Sequence, residues 1–205
     1  MRRILVVGFA ALLTAACASS PTSTPASSGS GAVGSPPATS AGSAPATSAA
    51  PPSAAGSPHV AGLPSCATAD LSVTIGPSQG TAGSIYQPIV FTNTGSATCT
   101  LYGYPGVSLA GGSPVAQIGA AAARSTATAA SIITLAPGAA ANALLQYTEA
   151  GNYSTSTCNP TPATELIIYP PNQTVSASVT YSTTACAATG VDILHVGVVT
   201  AGNGG

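Results

Sequence analysis

Apolar residues in this chain fall in short alternating runs rather than long stripes. In DLSVTIG (70–76), Leu71, Val73 and Ile75 take every second position, and in YQPIVFTN (86–93) Ile89 and Phe91 do the same. A period of two puts such side chains on one face of an extended strand. Comparable runs follow at TCTLYGY (98–104), GVSLA (106–110), VAQIG (115–119), SIITL (131–135), NALLQYT (142–148), ELIIY (165–169), VSASVTY (175–181) and DILHVGVV (192–199). Turn residues separate them, as at Asn93-Thr94-Gly95-Ser96 and Gly111-Gly112. No stretch keeps helical spacing with caps at both ends. The Ala-rich 119–130 segment lacks an apolar stripe and reads as loop, or at most one helical turn. The pattern predicts a single all-β sandwich over residues 59–200, followed by a flexible tail at 201–205.

The alternation is missing before residue 59. Residues 18–58 are Ala, Ser, Thr, Pro and Gly apart from Val33, a composition that cannot bury enough apolar area to offset the entropy of ordering. The 17–58 segment is therefore expected to be a disordered stalk carrying the sandwich. Ahead of it, Arg2 and Arg3 precede an apolar run from Ile4 to Ala16. That run is too short for a bilayer span, which needs roughly 20 residues, and residues 1–16 read as a secretory signal peptide. Its end, Leu13-Thr14-Ala15-Ala16-Cys17, resembles the lipobox of bacterial lipoproteins, with Thr14 where Leu is usual. The resemblance implies cleavage before Cys17, lipidation (palmitate) of Cys17, and attachment through that lipid to the outer face of the cytoplasmic membrane in the cell envelope.

Cysteine number fits this processing. Five cysteines leave one over, and assigning Cys17 to lipid leaves Cys66, Cys99, Cys158 and Cys186 for two disulfides in an oxidising compartment. Of the three possible connectivities, the sequence-local pairing Cys66–Cys99 with Cys158–Cys186 is expected. A zinc site is not, because the chain has no C-x-x-C and His195 is its only histidine beyond His59. No metal or other cofactor is expected. Past the signal segment, Arg124 alone opposes Asp70, Glu149, Glu165 and Asp192. One cation cannot neutralise a run of phosphates, which excludes nucleic acid as a partner.

Several segments resemble a known family. VFTNTGSATCTLYGYPGVSL (90–109), LAPGAAANALL (135–145), the Cys158…Cys186 pair and YPPNQT (169–174) are similar to an actinobacterial family of secreted and lipoprotein-anchored modules, domain of unknown function 4232. The resemblance implies an immunoglobulin-like antiparallel β-sandwich on a cell envelope. It implies no reaction.

Two places invite a functional reading. Gly76-Pro77-Ser78-Gln79-Gly80 spells G-x-S-x-G, and Asp192 and His195 complete the chain order of an α/β-hydrolase triad. That motif needs a strand, a tight turn and then a helix, whereas the sequence after Ser78 carries Gly83, Pro88 and a strand pattern. Asp192 and His195, three apart in one expected strand, would also point to opposite faces. The chain is thus expected not to be an enzyme. The second place is Tyr102, Tyr104 and Pro105. With Phe91 the only phenylalanine in the domain and no tryptophan in the chain, tyrosine supplies nearly all its aromatic surface. Two tyrosines two apart share a face if the strand continues, and tyrosine gives rigid, amphipathic contact area. The expected function is a monomeric, non-catalytic display module binding an envelope glycan, lipid or protein. The alternatives are a purely structural or antigenic surface module and an envelope serine hydrolase using Ser78.

Overall fold

Strands β1 (Leu71–Ile75), β2 (Gln79–Thr81) and β3 (Ser84–Asn93) come first along the chain, each joined to the next by a turn. From Ile89 onward β3 alternates as its sequence predicts, with Ile89, Phe91 and Asn93 buried and Val90 and Thr92 partly exposed, while Gln87 and Pro88 are buried together ahead of them. Next come β4 (Cys99–Tyr102), β5 (Gly106–Gly111), β6 (Ala116–Gln117), β7 (Ala123–Arg124), β8 (Ile132–Leu135) and β9 (Ala140–Thr148). A short helix α1 (Thr155–Cys158) leads into β10 (Pro160–Tyr169) and β11 (Ala177–Cys186), and β12 (Leu194–Val196) and β13 (Thr200–Ala201) end the fold. The computed structural model describes residue 58 and residues 60–204. The expected signal peptide (1–16), Cys17 and its lipid, and the stalk up to residue 57 lie outside the described residues.

Two main sheets face each other. One has the order β1-β3-β9-β12-β7, with β2 added to β3 and β13 to β9; the other runs β11-β10-β5-β6. Strands distant in sequence lie side by side, β3 beside β9 in one sheet and β5 beside β10 in the other, the non-sequential neighbours of a Greek-key sandwich. The core lies between the layers: Ile89, Phe91, Ala143 and Leu145 from one meet Val107, Leu109, Leu166 and Ile168 from the other. Two polar contacts cross the sandwich. Gln87 Nε2 donates to the Tyr181 hydroxyl at 2.6 Å, and the Tyr147 hydroxyl donates to the Thr184 carbonyl at 2.8 Å. Among the described residues no buried side-chain polar atom is left unpaired, as folding stability requires.

The structure departs from the expected pattern in three ways. The sheets are not wholly antiparallel, because β7 lies parallel to β12 through His195–Ala123 and Val196–Arg124. That pairing draws part of the Ala-rich loop into the sheet edge. Of the long strand expected over 192–199 only β12 forms, with 197–199 irregular before β13, so Asp192 stands outside any strand. Nor is the tail free from residue 201: Ala201 pairs with Ala141, and Gly202 N donates to the Ala140 carbonyl at 3.0 Å.

Both expected disulfides are present, Cys66–Cys99 and Cys158–Cys186. The first fastens the segment preceding β1 to β4. The second joins the end of α1 to the end of β11, where Pro160 and Cys186 are paired, and so closes the open end of the β10–β11 hairpin.

Candidate recognition groove

The G-x-S-x-G run forms the turn between β1 and β2. Ser78 is exposed, and the next residue opens β2, which pairs with β3 from Gln79–Tyr86 onward; no helix follows. Asp192 is exposed ahead of β12, while His195 sits in its middle opposite Gln146. No hydrogen bond joins Ser78, Asp192 and His195. Leu194 and Val196 are buried on either side of His195, so the imidazole side chain belongs to the outer face, as alternation predicts. It lines a hollow of about 280 Å³ with Tyr86, Leu144 and Gln146. No group of three or more His, Cys, Asp or Glu side chains able to hold a metal occurs among the described residues.

A different set of residues converges at the turn after β4. The strand stops at Tyr102, because Gly103 takes a φ of 93°, in the region where only glycine is comfortable. Tyr102 and Tyr104 therefore do not share one strand face as expected. The turn still brings both to the rim of one groove of about 530 Å³, completed by Arg124, Tyr169, Asn172 and Gln173. That volume is within the roughly 300–1,000 Å³ of small-molecule sites. Pro105, expected on the same surface, is buried and does not line the groove. Its fixed φ suits the tight passage from Gly103 into β5.

Each wall is held from behind. The Gly103 carbonyl accepts from Val199 N at 2.9 Å, which fixes the turn to the last segment of the chain. Tyr169 ends β10 immediately after the buried Ile168, so the period of two turns its ring outward, where it is 40% exposed. Asn172 adopts φ 62° and donates from Nδ2 to the Tyr102 carbonyl at 3.2 Å, binding the β10–β11 loop to the end of β4. Arg124 comes from β7, and its guanidinium carbon stands 5.4 Å from the centroid of the Tyr104 ring. That distance is within the range of a cation–π contact.

Chemically, the groove offers flat aromatic faces, amide donors and acceptors, and one cation. No carboxylate, imidazole or thiol lines it, so the lining supplies neither a conventional acid–base pair nor a soft metal ligand. A third hollow, of about 680 Å³, lies near Glu149, Tyr153 and Thr183. It is broader, has no cation, and its Tyr147 hydroxyl is already committed to the Thr184 carbonyl. Sequence reasoning singled out Tyr102 and Tyr104 but missed Arg124, Tyr169, Asn172 and Gln173. YPPNQT stood out as a segment without revealing that it forms the opposite wall, and Arg124 was visible only as the lone cation.

The run from Asn93 to Pro105 also divides by role. Asn93 is 1% exposed; its Nδ2 donates to the Ala97 and Leu135 carbonyls at 2.8 and 2.9 Å, and its Oδ1 accepts from Gly95 N at 3.0 Å. This side chain organises the turn from β3 to β4, and Cys99 then ties β4 to Cys66. The first part of the run builds the scaffold and the second part lines the groove.

The sequence profile of a family described as Domain of unknown function (DUF4232) matches residues 66–200, which includes every residue of the groove. No curated protein and no solved structure matches the chain.

Proposed function

The chain belongs to the DUF4232 family, and from that premise we propose that it is a non-catalytic glycan-binding module, exported and lipid-anchored through Cys17. One observation carries the reading: three tyrosines, a guanidinium and two side-chain amides converge on a single groove. Tyrosine rings offer apolar faces to the C–H side of a sugar while their hydroxyls remain available for polar contacts. Gln173 adds the directional hydrogen-bonding groups that hydroxyl-rich ligands need, while Asn172, bonded to the Tyr102 carbonyl, holds the wall in place. A non-catalytic role is supported by the lack of acid–base groups in the groove lining and of a helix after Ser78. The lipobox-like sequence before Cys17 supports anchorage at the outer face of the membrane, with the 17–58 segment as spacer.

The test is retention of the full chain, in detergent micelles, on immobilised envelope polysaccharides. Tyr169→Ala and Tyr102→Ala are each expected to weaken binding by about tenfold, a value corresponding to the loss of one stacking ring. Retention that is indifferent to both substitutions would remove the groove from the reading, and no retention by the wild-type chain would leave a structural surface module in its place. Anchorage is checked separately: Cys17→Ser is expected to move the protein from the detergent phase to the aqueous phase.

A further inference from the structure

Resting on the glycan reading above, we infer that Arg124 makes the groove selective for acidic glycans, sugars bearing a carboxylate or phosphate. Arg124 is the only Lys or Arg among the described residues, and it is exposed. Its contact with the Tyr104 ring is not accompanied by a hydrogen bond or ion pair to any carboxylate or carbonyl. A cation–π contact occupies none of the guanidinium's N–H donors in a hydrogen bond to a carboxylate or carbonyl. Those donors form the planar fork that pairs with a carboxylate or phosphate.

The placement of charge is as uneven as the chain permits. Asp70, Glu149, Glu165 and Asp192 outnumber Arg124, yet none of them lines the groove. The domain is therefore net negative while its groove carries only positive charge. An anion elsewhere on the surface meets uncharged or acidic groups; in the groove it meets a cation beside ring faces and amides.

Arg124 is also held in place. Ala123 and Arg124 pair with His195 and Val196, and Ser125 N donates to the Val196 carbonyl at 2.9 Å, so backbone bonds secure the segment at and just after the arginine. A side chain on an anchored two-residue strand and within cation–π range of a ring loses less freedom on binding than one on a free loop. The Ala-rich loop containing it thus has a function that its composition conceals: it delivers one cation to a groove built by other elements.

The experiment titrates the full chain in detergent with acidic oligosaccharides and their carboxyl-reduced, neutral counterparts, a galacturonic acid trimer and a galactose trimer among them, and with galactose 6-phosphate. An acidic ligand is expected to bind roughly tenfold more tightly than its neutral counterpart, the gain from one charge-assisted contact. That preference should shrink as salt is raised. Arg124→Gln should bring the acidic ligand to the affinity of the neutral one, and Arg124→Lys, which keeps the charge but loses the fork, should fall between. An Arg124-dependent gain confined to the sugar phosphate supports the inference with phosphate as the anion. Equal binding of acidic and neutral ligands, or a preference that survives Arg124→Gln, overturns it and leaves the glycan reading standing. If no oligosaccharide binds, the glycan reading fails and this inference fails with it. Unchanged thermal melting of the Arg124 variants verifies that the exposed side chain is not needed for folding.

Discussion

Asn93 and Tyr181 show how single polar side chains hold this sandwich. Replacing Asn93 by Ala would leave the Ala97 and Leu135 carbonyls and Gly95 N without their partner. Chemical denaturation of Asn93→Ala is expected to show a loss of about 2–3 kcal/mol, the cost of buried polar groups left unpaired. The Tyr181 hydroxyl is pushed above its ordinary value of 10.0 by burial, against the opposing effect of the Gln87 hydrogen bond and with a smaller upward push from Tyr147. Folding therefore favours the neutral phenol. Its contribution to stability is whole below pH 10 and is lost as pH climbs through the raised folded value. Tyr181→Phe should flatten that alkaline decline in a pH series of thermal melts, while lowering stability at neutral pH because Gln87 loses its acceptor. Asn93 was legible as a turn residue from its Thr94-Gly95 neighbours. Its reach to Leu135, 42 residues away, was not, because turn chemistry is local and this hydrogen bond is tertiary.

Among the elements, the long strands were legible and the shortest were not. β3, β9 and β10 each bury one face against a common core, and that requirement writes a period of two into their residues. β2, β7 and β13 are two or three residues long and owe their extended form to the strands beside them, so the sequence carries no period to read. The groove follows the same division, since it is made of strand ends and turns, where pattern stops. Two glycines test this level. At Gly119 a Cβ would collide with the Cys186 carbonyl oxygen, and φ is 70°, so Gly119→Ala should cost about 2 kcal/mol or more in denaturant unfolding. At Gly103 nothing lies within 4 Å of an added Cβ, which leaves only the strain of φ 93°. Gly103→Ala should cost about 1 kcal/mol of stability and weaken ligand binding, because Tyr102 and Tyr104 flank the turn. The disulfides act at this scale too. They close sequence separations of 33 and 28 residues, and replacing either pair by Ser should lower stability by about 3–4 kcal/mol on chain-entropy grounds.

For the whole molecule, the sparse charge separates two kinds of measurement. No ion pair contributes to the fold among the described residues, so unfolding should respond little to ionic strength. Binding of an acidic glycan through Arg124 should respond clearly. Ser78→Ala is expected to change neither, since the serine is exposed in a turn and lines neither the groove nor the hollow beside His195. The β10–β11 hairpin has a further consequence. Its open end is sealed by Cys158–Cys186, whereas its loop, residues 170–176, forms one wall of the groove. Strand register is thus fixed at the end remote from the ligand, and a clip by a protease within the loop would release no fragment. Exchanges confined to Gln173 and Thr174, which lie past the buried Pro170 and Pro171 and the anchored Asn172, should alter the wall of the groove while the hairpin behind it stays covalently clamped.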